Sequence, residues 1–236
     1  MENIYDPAYV KTLFNKMSGS YERMNYITSF GFSIRWRRQH LRQLGTSSKE
    51  LKVLDLLSGL GENWSILKQQ FPNAQFYSLD FSDEMVRNAM PKAQRIFKDK
   101  LNIVCEDVLE NSYAENTFDI ISCAYGLKTF TDEQLDQLAK QLKRILKVNG
   151  KFSFIEVSKP AHKPLLFFYR LYLARIIPVL GKLFLGNPSD YKMLWVYTAK
   201  FENSEKVKQI FERNGLSVQF QQYFFGCATG VNGTKL

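Results

Sequence analysis

Residues 53–64 read VLDLLSGLGENW, an apolar run that ends in a serine and two glycines before a segment able to open a helix. Residues 53–58 predict a buried strand and residues 62–70 a helix, so the glycines belong to the connection between them. A glycine carries no Cβ, which lets the backbone approach a bound group closely. The start of a helix offers unpaired N–H groups to anything negative. The spacing is not Gly-x-Gly-x-x-Gly, so the loop alone leaves two readings: a cradle for a nucleotide, or a strand-to-helix turn with no ligand.

The flanking sequence sets the architecture. QFYSLD (75–80) predicts a second strand, followed by a helix that Ser82 caps and whose apolar face begins at Met85 and Val86. LNIVCE (101–106) and FDIISCA (118–124) are short, nearly continuous apolar runs, as expected of strands buried on both faces. Between Thr131 and Lys147, Leu135, Leu138, Leu142, Ile145 and Leu146 recur at spacings of three and four, the stripe of an amphipathic helix. Asn149 and Gly150 are expected to end it, and KFSFIEV to follow as a strand. Strands alternating with helices predict an α/β fold, a Rossmann-like, doubly wound and mostly parallel sheet with ligands at the carboxyl ends of its strands. LSVQFQQYFF and GCATGVNGTKL predict a C-terminal antiparallel hairpin. The expected organisation is one domain over 1–236, with an N-terminal helical cap (1–45), a ligand-binding core (50–158), an inserted lid (160–200) and a C-terminal helix and hairpin (201–236).

Composition narrows the function. With 236 residues, 45% of them hydrophobic, the chain can bury one substantial core. The net charge of +9 suits a polyanion, an anionic membrane surface or an acidic cofactor. The excess is spread along the chain without a block of five basic residues, so no nucleic-acid partner is expected. Cys105, Cys123 and Cys227 are odd in number, and His40 and His162 stand far apart, so neither a disulfide framework nor a metal site is expected. MENIYDPAYV has no apolar signal segment, and the expected location is cytoplasmic.

Carboxylates at successive strand ends favour the cradle. Asp80 closes the second predicted strand, where a carboxylate can hold both ribose hydroxyls of an adenosine. Glu106-Asp107-Val108 closes the third, placed to meet the edge of the adenine. With these in place, VLDLLSGLG resembles the first motif of class I S-adenosylmethionine-dependent methyltransferases, hydrophobic-Leu-Asp-Leu-x-x-Gly-x-Gly. Over almost its whole length the chain is similar to the ubiquinone/menaquinone biosynthesis C-methyltransferase family. The N-terminal part of that resemblance rests on Phe14, Tyr21-Glu22, Met24-Asn25, Ser29, Gly31 and Trp36-Arg37. NTFDIISCAYGLKTFTD resembles the segment that ends Phe-Gly-Leu-Arg-Asn in the family, and LKRILKVNGKFSFIEVSKP the run that closes on Glu-Phe-Ser-Lys-Pro.

The resemblance implies S-adenosylmethionine as cofactor and methyl transfer to carbon of an isoprenoid-quinone precursor. It places Asp55, Ser58, Gly59, Leu60 and Gly61 around the methionine part, Asp80 on the ribose, Phe81 and Met85 beside the adenine, Asp107 and Val108 at its edge, and Ala124 on the far side. Tyr21 would close over the cofactor from the N-terminal helices, against the alternative that Tyr21 and Trp36 pack a cap onto the sheet. Lys128 is the candidate cation beside the acceptor oxygen and His162 the candidate base, with Tyr197 as a further catalytic group and Tyr125 and Tyr191 in the acceptor pocket. The sequence departs from the family at the loop, where Ser-Gly-Leu-Gly-Glu replaces Gly-Gly-Thr-Gly-Asp. It departs again at Lys128 for an arginine, at Tyr197 for a serine and at Val231 for a histidine. Because these changes gather around the acceptor, O- or N-methylation of a soluble aromatic metabolite is the nearer alternative, and a non-catalytic cofactor- or partner-binding module the more distant one.

Residues 160–186, PAHKPLLFFYRLYLARIIPVLGKLFLG, are apolar but broken by Arg170, Arg175, Pro178 and Lys182, which argues against a membrane span. The two expectations for this segment are a lid packed on the sheet and a basic amphipathic element resting on the inner face of a membrane. The expected partners are thus a small or lipid-like aromatic acceptor, a peripheral membrane contact through 160–186 and a second copy of the chain.

Overall fold

In the computed structural model, residues 3–179 and 188–236 are described, with backbone alone at 188–192. Seven strands form one sheet: β1 (Lys52–Leu56), β2 (Gln75–Asp80), β3 (Leu101–Cys105), β4 (Phe118–Ala124), β5 (Leu146–Val157), β6 (Leu216–Tyr223) and β7 (Ala228–Lys235). Their spatial order is β3-β2-β1-β4-β5-β7-β6. β3 through β5 run parallel, and β7 pairs antiparallel with both β5 and β6. This is the Rossmann-like, doubly wound sheet with a C-terminal antiparallel hairpin that the alternating pattern predicts. The strand order reverses between β1 and β4, and ligands of such sheets lie in the crevice above that point.

Side-chain alternation along β1 explains its two buried faces. Leu54 and Leu56 pack with Leu135, Leu138 and Leu142 of helix α6 (Asp132–Ile145). Val53 joins Trp64 and Leu67 of α4 (Trp64–Gln70) and Ala89 and Ala93 of α5 (Asp83–Phe97) on the other face. Ser82 caps α5 through a bond from the Met85 N–H, and Thr131 and Gln134 cap α6 reciprocally. Three helices precede the sheet: α1 (Pro7–Met17), α2 (Tyr21–Thr28) and α3 (Phe32–Leu41). Between β5 and β6 come α7 (Lys163–Leu171), a wide turn of π-helical geometry (Tyr172–Ile176), α8 (Pro188–Phe201) and α9 (Glu205–Arg213).

Three expectations change. β3 is an edge strand and half-exposed, not buried on both faces, because no strand covers its outer side. α6 ends at Ile145, with Leu146 already in β5; Asn149, at a φ of 62°, lies in an irregular start of that strand. β1 stops at Leu56 and α4 starts at Trp64, so the connecting loop is longer at both ends than the sequence suggests. The middle of the expected lid, including Lys182, lies outside the described residues, as does the side chain of Tyr191.

Candidate active site

The loop after β1 is organised from below by Asp80. One carboxylate oxygen accepts the Gly59 N–H at 2.8 Å, and the other accepts the Ser82 N–H at 2.9 Å. The Ser78 hydroxyl, also on β2, donates to the Ser58 hydroxyl at 2.7 Å. The two glycines do different things. A Cβ on Gly61 would stand 2.2 Å from the Trp64 ring, so this glycine serves packing. A Cβ on Gly59 would meet only Glu62 Oε2 at 3.9 Å, which leaves that stretch of backbone open to a ligand. Burial pushes the Asp80 carboxyl up to about 6, against the backbone N–H groups that favour its charged form.

Above this loop lies a cavity of about 760 Å³, counting its mouth. Ser58, Gly59, Asp80, Phe81 and Met85 wall one side and Asp107, Val108 and Ala124 the other, while Val10, Phe14 and Tyr21 close it from the N-terminal helices. Nine of the twelve residues expected around the cofactor therefore line one cavity, with a carboxylate at its floor, an apolar slot at one end and bare backbone between. That set suits an adenosine with a charged amino-acid arm. Asp55, Leu60 and Gly61 do not line it. Leu60 turns its side chain toward the α2–α3 side, because the left-handed Gly59 and Gly61 reverse the chain on either side of it.

Asp55 acts from underneath. It accepts the Ser122 hydroxyl at 2.6 Å and the Asn63 amide at 2.8 Å, and its Oδ2 has no protein partner. Burial pushes its carboxyl up to about 6, opposed by the Ser122 and Asn63 bonds. Asn63 in turn accepts Arg37 Nη1 at 3.0 Å, Arg37 Nη2 pairs with Glu62 at 3.1 Å, and the guanidinium lies 4.6 Å from the Tyr125 ring centre. Burial disfavours the charge on Arg37, but Glu62, Tyr125, Tyr21 and Asp55 together outweigh it and hold its pKa above the ordinary arginine value. Arg37 and Glu62 both line the cavity, and neither was singled out as a site residue. Their signal was the Trp36-Arg37 pair itself, a charged residue in the turn-to-helix segment beside a tryptophan that must be buried.

A second, apolar cavity of about 1,120 Å³ adjoins the first, and the two share Tyr21 and Tyr125. Its walls include Phe30, Phe32, Trp36, Tyr169, Tyr172 and Leu194. Tyr125 has a φ of 68° and Leu57 one of 52°, so the residues that follow β4 and β1 both take left-handed backbone at the reversal of strand order. Such conformations are held only where surrounding structure over-determines them. Here Gly126 makes room: a Cβ on it would stand 2.4 Å from Leu57 Cδ1. The Tyr125 N–H bonds the Ile155 carbonyl at 2.8 Å, and its hydroxyl donates to the Ser33 carbonyl at 3.1 Å.

Lys128 is buried beside this cavity and lines it. Its ammonium donates to Glu156 Oε1 at 2.8 Å and to the Tyr125 carbonyl at 2.9 Å, and its backbone N–H reaches Glu156 Oε2 at 3.1 Å. The ammonium has three donors, two of them engaged by these bonds. Tyr197 is not brought to either cavity: its hydroxyl donates to the Ile4 carbonyl at 2.5 Å, fastening the segment that precedes α1. His162 is also away from both, exposed as the residue before α7. The segment that begins at Pro160 enters that helix on the outside of the groove, which removes His162 from the acceptor. No group of metal-ligating side chains occurs among the described residues.

A model of the ubiE/COQ5 methyltransferase family matches residues 2–235. A demethylmenaquinone methyltransferase of Lactiplantibacillus plantarum is 29% identical over 230 residues, covering 96% of this chain and 95% of that protein. One from Bacteroides fragilis is 28% identical over 228 residues, covering 96% and 92%. Among solved structures, a possible histamine N-methyltransferase of Thermotoga maritima superposes with a TM-score of 0.65 at 16% identity, covering 95% of this chain and 99% of its own. A magnesium protoporphyrin IX methyltransferase of Synechocystis with bound S-adenosylhomocysteine gives 0.64 at 16% identity, covering 99% and 100%. At such identities these structures establish the likeness of fold alone.

Proposed function

The chain belongs to the ubiE/COQ5 methyltransferase family, and from that premise we propose that it methylates a ring carbon of demethylmenaquinol or a related isoprenoid-quinone precursor, with S-adenosylmethionine as donor. The observation that carries the reading is the meeting of a cavity with the Asp80 carboxylate at its floor and a large apolar groove across two tyrosines, Tyr21 and Tyr125. A soluble polar acceptor has no use for a groove lined by Phe30, Phe32, Trp36 and Tyr172. A prenylated ring does.

The cofactor, when bound, supplies an electrophilic methyl group, so the protein's work is placement, exclusion of water and stabilisation of the acceptor as its anion. Asp80 would hold the ribose, since each carboxylate oxygen keeps a lone pair beyond its backbone bond. Phe81 and Met85 would sandwich the base, with Asp107 and Val108 at its edge. Tyr21 and Tyr125, both pushed well above the usual phenol range by burial, stay protonated at neutral pH and serve as walls, with the Tyr125 proton held by the Ser33 carbonyl. A phenolic acceptor becomes nucleophilic at carbon once its proton is lost. The third N–H of Lys128 is the donor that would face the resulting oxyanion, and the Glu156 carboxylate pairs with that ammonium in an apolar wall.

The test is incubation with methyl-labelled S-adenosylmethionine and a quinone-containing lipid extract. Label on a ring carbon of a prenylated quinone is the expected result. Label on oxygen or nitrogen of a water-soluble aromatic would replace this reading with the other methyl acceptor class.

A further inference from the structure

Five phenylalanines at or beside the mouth of the apolar groove face solvent: Phe30 is 78% exposed, Phe167 and Phe168 are each 65%, Phe224 is 47% and Phe225 is 73%. They come from three separate parts of the chain, the α2–α3 turn, α7 and the turn between β6 and β7. These parts meet on one face. Phe30 stacks on Tyr172 at 5.8 Å, Phe32 on Phe224 at 4.7 Å, and Phe30, Phe168 and Phe224 all line the groove. Phe30, Phe224 and Phe225 have φ values of 49°, 41° and 54°. A bulky residue in left-handed backbone is unfavourable, and such an outlier points toward a role. Here that backbone carries aromatic rings outward into water.

Cations border these rings. Lys163 and Arg170 stand on α7 with Phe167 and Phe168, Arg175 follows in the wide turn, and the Arg35 guanidinium lies 5.9 Å from the Phe32 ring centre. Arg35, Lys163, Arg170 and Arg175 are exposed.

We propose that this face docks on an anionic lipid bilayer, with the phenylalanines in the interfacial layer and the arginines and lysines against the headgroups. The groove then opens at the bilayer surface. A bilayer is favoured over a protein partner because the exposed cations Arg35, Lys163, Arg170 and Arg175 border the exposed rings, the arrangement of an interfacial element with its cations at the headgroups. The surface extends the expected membrane contact beyond 160–186 to two further turns, and no helix among the described residues is long and apolar enough to cross the bilayer. The proposal deepens the reading of the groove as a lipid-acceptor site. Its test uses neither cofactor nor acceptor, so the two stand or fall separately.

The full chain is to be sedimented with phosphatidylcholine vesicles made with and without phosphatidylglycerol, at low and high salt. Partition to the anionic vesicles should exceed that to the neutral ones by roughly tenfold or more and decline with salt. Phe225→Asn combined with Phe167→Gln changes two residues that line neither cavity, and asparagine tolerates left-handed backbone. This variant should lose roughly tenfold or more in partition, with an unchanged unfolding midpoint and unchanged methylation of a short-tailed acceptor in solution. Equal partition to both vesicle types, or partition unaltered in the double variant, would overturn the proposal. So would a vesicle-free dimer that the double variant dissociates, since the face would then belong to a second copy of the chain.

Discussion

The two cavities share a wall, yet they are built on opposite terms. The cofactor cavity is a product of topology: its floor and sides are the ends of β1, β2 and β4 and the turn beyond β3, so the positions of Gly59, Asp80, Asp107 and Ala124 follow from the parallel sheet. The groove is assembled from the α2–α3 turn, the β4 end, α7, the wide turn after it, α8 and the β6–β7 turn. No single element dictates it. Asp80 is held by backbone N–H bonds, whereas Lys128, the buried cation at the groove, is held by a carboxylate from a neighbouring strand. Perturbations on the first side should therefore read out as cofactor affinity, and those on the second as stability and turnover.

The sharpest break should come at the cation. Replacing Lys128 with methionine leaves Glu156 buried without its partner, a loss of about 3–5 kcal/mol that urea unfolding would register. It would also abolish turnover. Lys128→Arg preserves the charge and keeps the fold, and a fall in kcat with little change in cofactor Kd would assign the lysine to the acceptor side. If Lys128→Met unfolds at the same urea concentration as the parent, the ion pair does not hold these two strand ends together.

A smaller effect, on the opposite side, is expected from Asp80→Asn. The substitution turns one backbone-accepting oxygen into a donor facing the Gly59 or Ser82 N–H and removes the charge expected on the ribose. Hydrogen bonds to charged groups contribute about 1.5–3 kcal/mol, so calorimetry should find cofactor affinity weakened by roughly tenfold to a hundredfold. The KM for acceptor should hardly move. Should KM rise and cofactor Kd stay fixed, the assignment of the two cavities would be reversed.

The same carboxylate gives the comparison a pH dependence. Burial raises Asp80 to about 6 in the folded chain. The stability this contributes is full below the unfolded value of ~3.8 and is lost as pH rises through 6. If Asp80 holds the ribose as the proposed charged carboxylate, binding below pH 6 must expel a proton. Affinity should be flat above neutrality and weaken by up to about tenfold per unit as pH falls below 6. Asp80→Asn should flatten that limb. A slope that survives the substitution would have to come from Asp55, which burial also raises to about 6.

The contrast also accounts for what the sequence revealed. β1, β2, β4 and α6 were legible because burial on fixed faces imposes a short period, and the residues that line the first cavity were legible because they sit at strand ends or just beyond them. Asp55 was given a ligand role that its position on β1 denies: alternation turns it under the loop, toward Asn63 and Ser122. Arg37 was visible only as part of a motif, since nothing local says that a guanidinium will stack on Tyr125 and pair with Glu62. The groove was least legible. Phe30 and Phe224 are far apart in the chain, and no periodicity connects them. Tyr197 and His162 were placed by proximity to motifs in sequence, a weak guide in an insertion that leaves the sheet and returns.

Tyr197 supplies the gentlest test, because it links the two sides. It stands on α8, whose Leu194 lines the groove, and its hydroxyl grips the Ile4 carbonyl just ahead of α1, which roofs the cofactor cavity. Tyr5 packs edge-on against the same ring at 6.0 Å. Tyr197→Phe keeps that ring contact and deletes one hydrogen bond, a change of about 0.5–1.5 kcal/mol. If the bond is a fastening for the roof, cofactor dissociation measured by stopped flow should quicken by roughly twofold to tenfold, with kcat on a saturating acceptor nearly unchanged. A large fall in kcat at an unchanged dissociation rate would return Tyr197 to the acceptor chemistry, and would mean that α8 moves its hydroxyl into the groove during turnover.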